Sequence, residues 1–193
     1  MWVVGGSRVE ARRLAVLGLL AAASFVLMAV VQVPILPQAP YLRYDPSDAV
    51  ALLAGVMYGP GPAVAVVFLK DLLYLLFRAK GPFGPLADFV AAATFAAATA
   101  WAYHRGGGAF AARLVRAAVV GTAARVLVMI PANFVILYLQ FGMPPERVAG
   151  MLLPVIVPFN ALKAGANALL ALFVLAPALR QVAPGLVAEP SRR

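Results

Sequence analysis

The chain has 193 residues, 64% of them hydrophobic and 12% charged, with no cysteine and a formal net charge of +9. A soluble domain is roughly 45–50% apolar and about 25% charged, and a water-facing fold of this composition would expose more apolar surface than monomers tolerate. An ordinary soluble domain, a disordered chain and a disulfide scaffold are therefore excluded, and the chain reads as an integral membrane protein. A spanning helix needs about 20 apolar residues to cross ~30 Å of hydrocarbon, so the length allows roughly five to seven spans. The positive charge reads as loop arginines that fix orientation, with no nucleic-acid partner expected. Arg8, Arg12 and Arg13 before an apolar run resemble a signal peptide, but the run is long and more spans follow, which suits a retained first helix.

Segment one runs from about Ala11 to Val31. Within it Ala11, Ala15, Gly18 and Ala22 recur at spacings of four, three and four, a small-residue stripe that lets another helix approach closely. Abundant alanine, or packing inside the bundle, would produce the same stripe. The stretch Val33 to Pro46 carries Pro34, Pro37, Pro40, Tyr41, Leu42, Arg43 and Tyr44, and prolines at this density stiffen an irregular loop. Asp45-Pro46-Ser47-Asp48 reads as a helix start, with Asp45 as N-cap and Pro46 at the first helical position. Segment two ends near Tyr58, segment three covers Ala63 to about Phe77, and segment four spans Leu86 to Tyr103. Segment five, about Ala109 to Gln140, contains Pro131, and segment six runs from about Val148 to Leu179 with breaks expected near Pro154 and Pro158. The expectation is an all-α membrane protein: one domain over 1–193, six transmembrane helices, and short tails at about 1–10 and 181–193. With the N-terminus inside, Arg8, Arg12, Arg13, Arg105, Arg113, Arg116, Arg180, Arg192 and Arg193 fall on the cytoplasmic side, against Arg43, Arg78, Lys80 and Arg147 outside. That bias places both termini in the cytoplasm.

Enzyme chemistry finds no parts. There is no GxxxxGK[ST] loop, no nucleophile-elbow serine and no paired carboxylates suited to a metal. Asp45 and Asp48 read as capping residues, and the lone His104, at a helix end, reads as solvated. Polar groups inside a span are costly and mark function by default. Asn160, Lys163 and Asn167 share one helical face. Lys163 must meet a water-filled pocket, a carboxylate or a ligand. Asn167, deeper in the span, serves a ligand or holds the bundle together. Asn133, two residues past Pro131, is a candidate partner on the facing helix. Two amides and an ammonium suit a flat heterocycle with carbonyls and an imide N–H, with Tyr41, Tyr44, Phe134, Tyr138 and Phe159 available to stack or to form an interfacial belt. Lys70 and Asp71, adjacent in sequence, point about 100° apart and are not expected to pair; Asp88 and Arg125 read as structural partners or pocket walls.

The stretches Tyr41-Leu42-Arg43-Tyr44-Asp45-Pro46-Ser47-Asp48, Ala54 to Pro60, Phe68-Leu69-Lys70-Asp71-Leu72-Leu73, Ala132-Asn133-Phe134 and Pro158 to Lys163 resemble the substrate-binding S components of energy-coupling factor (ECF) vitamin transporters, most closely the riboflavin-specific ones. The resemblance covers nearly the whole chain. It implies a six-helix bundle with cytoplasmic termini and an outer loop that covers a pocket. It also implies Asn133, Asn160 and Lys163 on the flavin ring, and a small-residue face, Ala11, Ala15, Gly18 and Ala22, that meets the transmembrane coupling subunit. Two cytoplasmic ATPases would complete the transporter. Riboflavin would then be cargo in a cell-membrane protein that needs no cofactor, closed over by Tyr41, Leu42 and Tyr44. Asp71 stands where many such proteins carry an asparagine. An S component for another planar vitamin, a membrane enzyme acting on lipids, and a ligand-free structural subunit are the alternatives.

Overall fold

A computed structural model describes residues 4–182 of the chain; Arg192, Arg193 and most of the expected C-terminal tail lie outside them. Helix α1 spans Val4–Val30 and leads into a two-stranded hairpin, β1 (Val33–Pro34) and β2 (Arg43–Tyr44), paired antiparallel with Val33 opposite Tyr44. Then come α2 (Ser47–Tyr58), α3 (Pro60–Phe77), α4 (Phe83–Arg105) and α5 (Phe110–Phe141). The last helical stretch runs as α6 (Pro145–Met151), a π-helical turn (Leu152–Ile156), α7 (Val157–Leu170), a second π turn (Ala171–Leu175) and α8 (Ala176–Val182). The first π turn falls where Pro154 and Pro158 remove two backbone donors from the ladder, the break expected there. Pro131 removes one donor from α5 without ending it.

Five stretches among the described residues are long and apolar enough to span: Glu10–Val30, Pro60–Phe77, Phe83–Arg105, Phe110–Phe141 and Pro145–Ala178. The chain is a multi-pass all-α membrane protein. Helix α2 is the exception to six full spans. Its 12 residues reach only about 18 Å, and every residue from Ser47 to Val56 is buried. It is a core helix, set among α1, α3, α4 and α7, and Gly59, at φ +95°, turns it directly into α3.

Burial is inverted relative to a soluble protein. Leu14, Leu19, Leu76, Phe77, Leu127, Leu153 and Phe173 face outward, whereas Asp48, Lys70 and Asn167 are 0% exposed. Small residues let the inner helices close. A Cβ on Gly121 of α5 would stand 1.9 Å from Thr99 Oγ1 and 2.7 Å from the Phe95 carbonyl on α4, and one on Gly55 of α2 would stand 2.9 Å from Ala100 Cβ. Ala11, Ala15, Gly18 and Ala22 are all exposed, with nothing within 4 Å of a Cβ at Gly18. The stripe therefore does not pack inside the bundle.

Forcing a methyl between α4 and α5 costs about 1–3 kcal/mol. Gly121→Ala should therefore lower the thermal midpoint in detergent by several degrees, while Gly18→Ala, which meets open space inside a helix, should not lower it.

Candidate functional site

The site grows from the turn that starts α2. Asp45 Oδ1 accepts the Ser47 N–H at 3.1 Å and also the Ser47 hydroxyl, so Asp45 caps the turn, but helix geometry begins at Ser47, one residue later than Pro46. Asn167 on α7 pins the same turn from below. Its Oδ1 accepts the Ala49 N–H at 2.9 Å, and its Nδ2 donates to the Asp45 and Lys163 carbonyls, each at 3.0 Å. One buried amide thus joins the start of α2, through the Ala49 N–H and the Asp45 carbonyl, to the Lys163 turn of α7.

Above that turn a chain of buried charges closes on itself. Lys163 on α7 donates to Asp45 Oδ2 and Asp88 Oδ1, both at 2.7 Å. The second oxygen of Asp88 takes Lys70 of α3 at 2.5 Å, and Lys70 also reaches Asp48 Oδ1 and Ser47 Oγ at 3.3 Å each. Asp48 Oδ2 accepts Arg125 Nη1 of α5 at 2.8 Å, and Arg125 Nε donates at 3.0 Å to Asn160 Oδ1, back on α7. Asn160 completes the circuit by donating to the Ile156 carbonyl at 2.9 Å, inside the first π turn. Loop, α2, α3, α4, α5 and α7 are tied by one path. Each carboxylate on it bridges two groups, as burial of charge requires.

Three sequence expectations are corrected by this geometry. Asp48 is not a cap, because its carboxylate is spent on Lys70 and Arg125. Lys70 and Asp71 do meet, Nζ to Oδ1 at 3.3 Å. Their Cβ directions diverge, but a lysine side chain is long enough to fold back. His104 is exposed yet lies 3.0 Å from the Gly55 carbonyl through Nε2, so it is not free in solvent. Asp71 itself is 4% exposed and makes no hydrogen bond through either oxygen.

Beside the circuit lies a cavity of about 990 Å³, at the top of the ~300–1,000 Å³ range of small-molecule sites. Asn133, Asn160, Lys163, Tyr41 and Leu42 line it, together with Asp45, Asp88 and Arg125. Tyr44 and Asn167 are not on its wall: Tyr44 is held in β2, and Asn167 is consumed beneath the floor. Of the other aromatics considered, Phe159 lines the cavity while Phe134 and Tyr138 do not, and Tyr138 is 61% exposed, in keeping with an interfacial belt. Asn133 does not reach Asn160; it donates to the Met129 carbonyl of its own helix at 2.7 Å, which leaves its Oδ1 and one N–H for the cavity. Tyr41 stacks on Phe141 with ring centroids 5.3 Å apart, and its buried hydroxyl has no partner. Burial pushes that phenol's pKa above its ordinary value, with Arg147 opposing. Sequence reasoning missed Gln32, Tyr74, Met129 and Gln140, which also line the cavity, because none sits in a motif and only the tertiary arrangement brings them together.

With fold and cavity in hand, comparison with known proteins places the chain. Residues 12–175 match the family described as "ECF transporter, substrate-specific component", and the chain belongs to that family. It is a transport component, working as the substrate-specific part of an ECF-type transporter, and not an enzyme. Among its relatives, the riboflavin transporter RibU of Staphylococcus aureus (strain TCH60) is 31% identical over 159 residues, 79% of this chain and 82% of the relative. The riboflavin transporter FmnP of Bacillus subtilis (strain 168) is 31% identical over 165 residues, 80% of this chain and 85% of the relative. A solved structure, described as the S component of a bacterial ECF transporter, superposes with a TM-score of 0.78 at 28% identity, covering 90% of this chain and 99% of that one.

Removing one partner from a buried ion pair costs about 3–5 kcal/mol. Lys163→Met, which strands Asp45 and Asp88, should therefore lower the unfolding midpoint sharply. Adding Asp88→Asn should recover part of the loss, a coupling readable in a double-mutant cycle of thermal denaturation.

Proposed function

We propose that this S component captures riboflavin, in a cavity that opens outward, for uptake driven by the ATPases of an ECF transporter. The observation that carries the reading is the cavity wall of α5 and α7. Asn133 and Asn160 keep spare amide groups there beside the Lys163 ammonium, and the tyrosine of the covering loop keeps its hydroxyl free. An imide edge, with acceptor, donor and acceptor in a row, matches groups that offer both donors and acceptors. The ring would lie between those amides and the apolar face of Met129, Ile136, Leu137 and Phe159, all buried. Lys163 is oriented by Asp45 and Asp88 before any ligand arrives, which limits the ordering cost of binding. Relatives whose names state riboflavin transport share 28–31% of their residues with this chain, which supports the same cargo.

The orientation follows from charge. Arg105, Arg113 and Arg116 cluster at the α4–α5 turn, the end opposite the hairpin and cavity mouth, so that end and both termini are assigned to the cytoplasm. The exposed face of Ala11, Ala15, Gly18 and Ala22 is assigned to the transmembrane coupling subunit, since a smooth helix face open to the bilayer permits close helix contact. Asn167 leaves the ligand-contact set and becomes a positioning residue for the turn at Asp45.

Detergent-purified protein titrated with riboflavin should quench the flavin's fluorescence saturably. Asn133→Leu, whose amide serves no other element, should weaken binding about tenfold or more, the loss of one to two hydrogen bonds, without shifting the melting temperature. A protein that quenches no flavin, or an Asn133→Leu variant of unchanged affinity, would overturn the assignment.

A further inference from the structure

A second hollow, of about 500 Å³, runs along the outer surface between α5 and the last helical stretch, from Leu114 to Ala123 on one side and from Gly165 to Leu172 on the other. Its lining is apolar but for Thr122. The space exists because Ala118, Ala123, Gly165 and Ala168 put little bulk between the two helices, and a Cβ on Gly165 would meet nothing within 4 Å. Val119 and Leu169, one from each side, are exposed to the bilayer. Along α5 the groove runs about 14 Å, close to the ~15 Å of hydrocarbon in one leaflet.

The Leu114 end of the groove reaches the α4–α5 turn, where positive charge gathers without a counter-charge. Arg105 stacks on Trp101 at 4.5 Å and Arg113 on Tyr103 at 3.9 Å, and the buried Arg113 Nε has no hydrogen-bond partner. Arg116 folds back over the turn. Its Nε donates to the Ala112 carbonyl at 3.2 Å and its Nη2 to the Gly107 carbonyl at 2.5 Å, which leaves the Nη1 protons to donate elsewhere. None of the three arginines pairs with a carboxylate among the described residues, and the sequence holds no Asp or Glu between Asp88 and Glu146. Helix α5 begins there with no side-chain cap and no acid in its first turn. That end of a helix dipole is positive and ordinarily disfavours cations. Arg116 lies three residues before Val119 and seven before Ala123, on one helical face, so the basic end and the groove are continuous.

We propose that this groove holds an acyl chain of one anionic phospholipid, with its phosphate against Arg113 and Arg116 at the α4–α5 turn. Basic pockets between membrane helices take such headgroups, and a zwitterionic lipid, which carries its own cation, gains less there. The chain fills the gap between the helices that carry Asn133 and Lys163. The inference is independent of which ligand the cavity takes.

The test titrates detergent-purified protein with dioleoyl phosphatidylglycerol or dioleoyl phosphatidylcholine, which share their chains, and counts bound lipids by native mass spectrometry. One phosphatidylglycerol should bind saturably, about tenfold more tightly than phosphatidylcholine, the worth of a charge-assisted hydrogen bond. Arg116→Gln should bring that ratio toward one. Ala123→Leu and Gly165→Leu, which fill the groove from either side, should remove the saturable adduct of both lipids. Circular dichroism identifies the folded variants, and either leucine variant alone carries the readout. Phosphatidylglycerol that binds folded leucine variants as it binds wild type shows only diffuse attraction to the arginines and overturns the site. Equal binding of the two lipids to wild type, or adducts that never saturate, overturns it as well.

Discussion

Everything in this molecule hangs on a closed circuit of buried charge. Taking a single ion out of water costs far more than any one contact returns, so a bundle that buries Lys70, Arg125 and Lys163 with Asp45, Asp48 and Asp88 must satisfy nearly every oxygen and proton at once. It does so by making carboxylates bridge. Asp88 holds both lysines and Asp48 holds Lys70 and Arg125, so the position of each helix is conditional on the others.

That constraint explains why α2 is central. Its N-terminal turn is where the loop, the floor amide of Asn167 and two of the carboxylates converge. The close crossings at Gly55 and Gly121 bring α4 against both α2 and α5, and so bring Asp88 within reach of α3 and α7. The first π turn ends next to Asn160 and supplies the Ile156 carbonyl that orients it, a local departure from the α-helix at a functional wall.

The ligand cavity is the open side of the circuit. Asp45, Asp88, Arg125, Asn160 and Lys163 face it, whereas Asp48 and Asn167 stand behind. A ligand thus meets groups already aimed and already charge-balanced, the preorganisation that makes binding affordable in a low-dielectric site. The same sharing means that, in the proposed binding mode, the residues touching the ligand also hold the fold. Lys163 is therefore a poor place to separate binding from stability, and Asn133, outside the circuit, a good one.

Sequence alone determined the solvent, the helices and the family. Runs of apolar residues at membrane length admit only helices, prolines at 154 and 158 mark where the last of them breaks, and Asn160, Lys163 and Asn167 declare a polar face by their spacing alone. It could not decide which polar groups meet. Asp48 reads as a cap because a carboxylate after Pro46 ordinarily is one, and only the approach of Arg125, 77 residues away in sequence, makes it a bridge. Lys70 and Asp71 diverge by helical angle and touch only because the long lysine side chain folds back among α1, α2 and α4, the helices packed on α3. Asn167 shares a face with Lys163, yet the backbone of α2 takes its amide before any ligand could. Gln32 and Tyr74, 42 residues apart, carry no motif and become a pair only across the cavity mouth. Local spacing fixes which side of a helix a residue is on; the partner on that side is a matter of long-range packing, and in a bilayer that partner decides what each buried charge does.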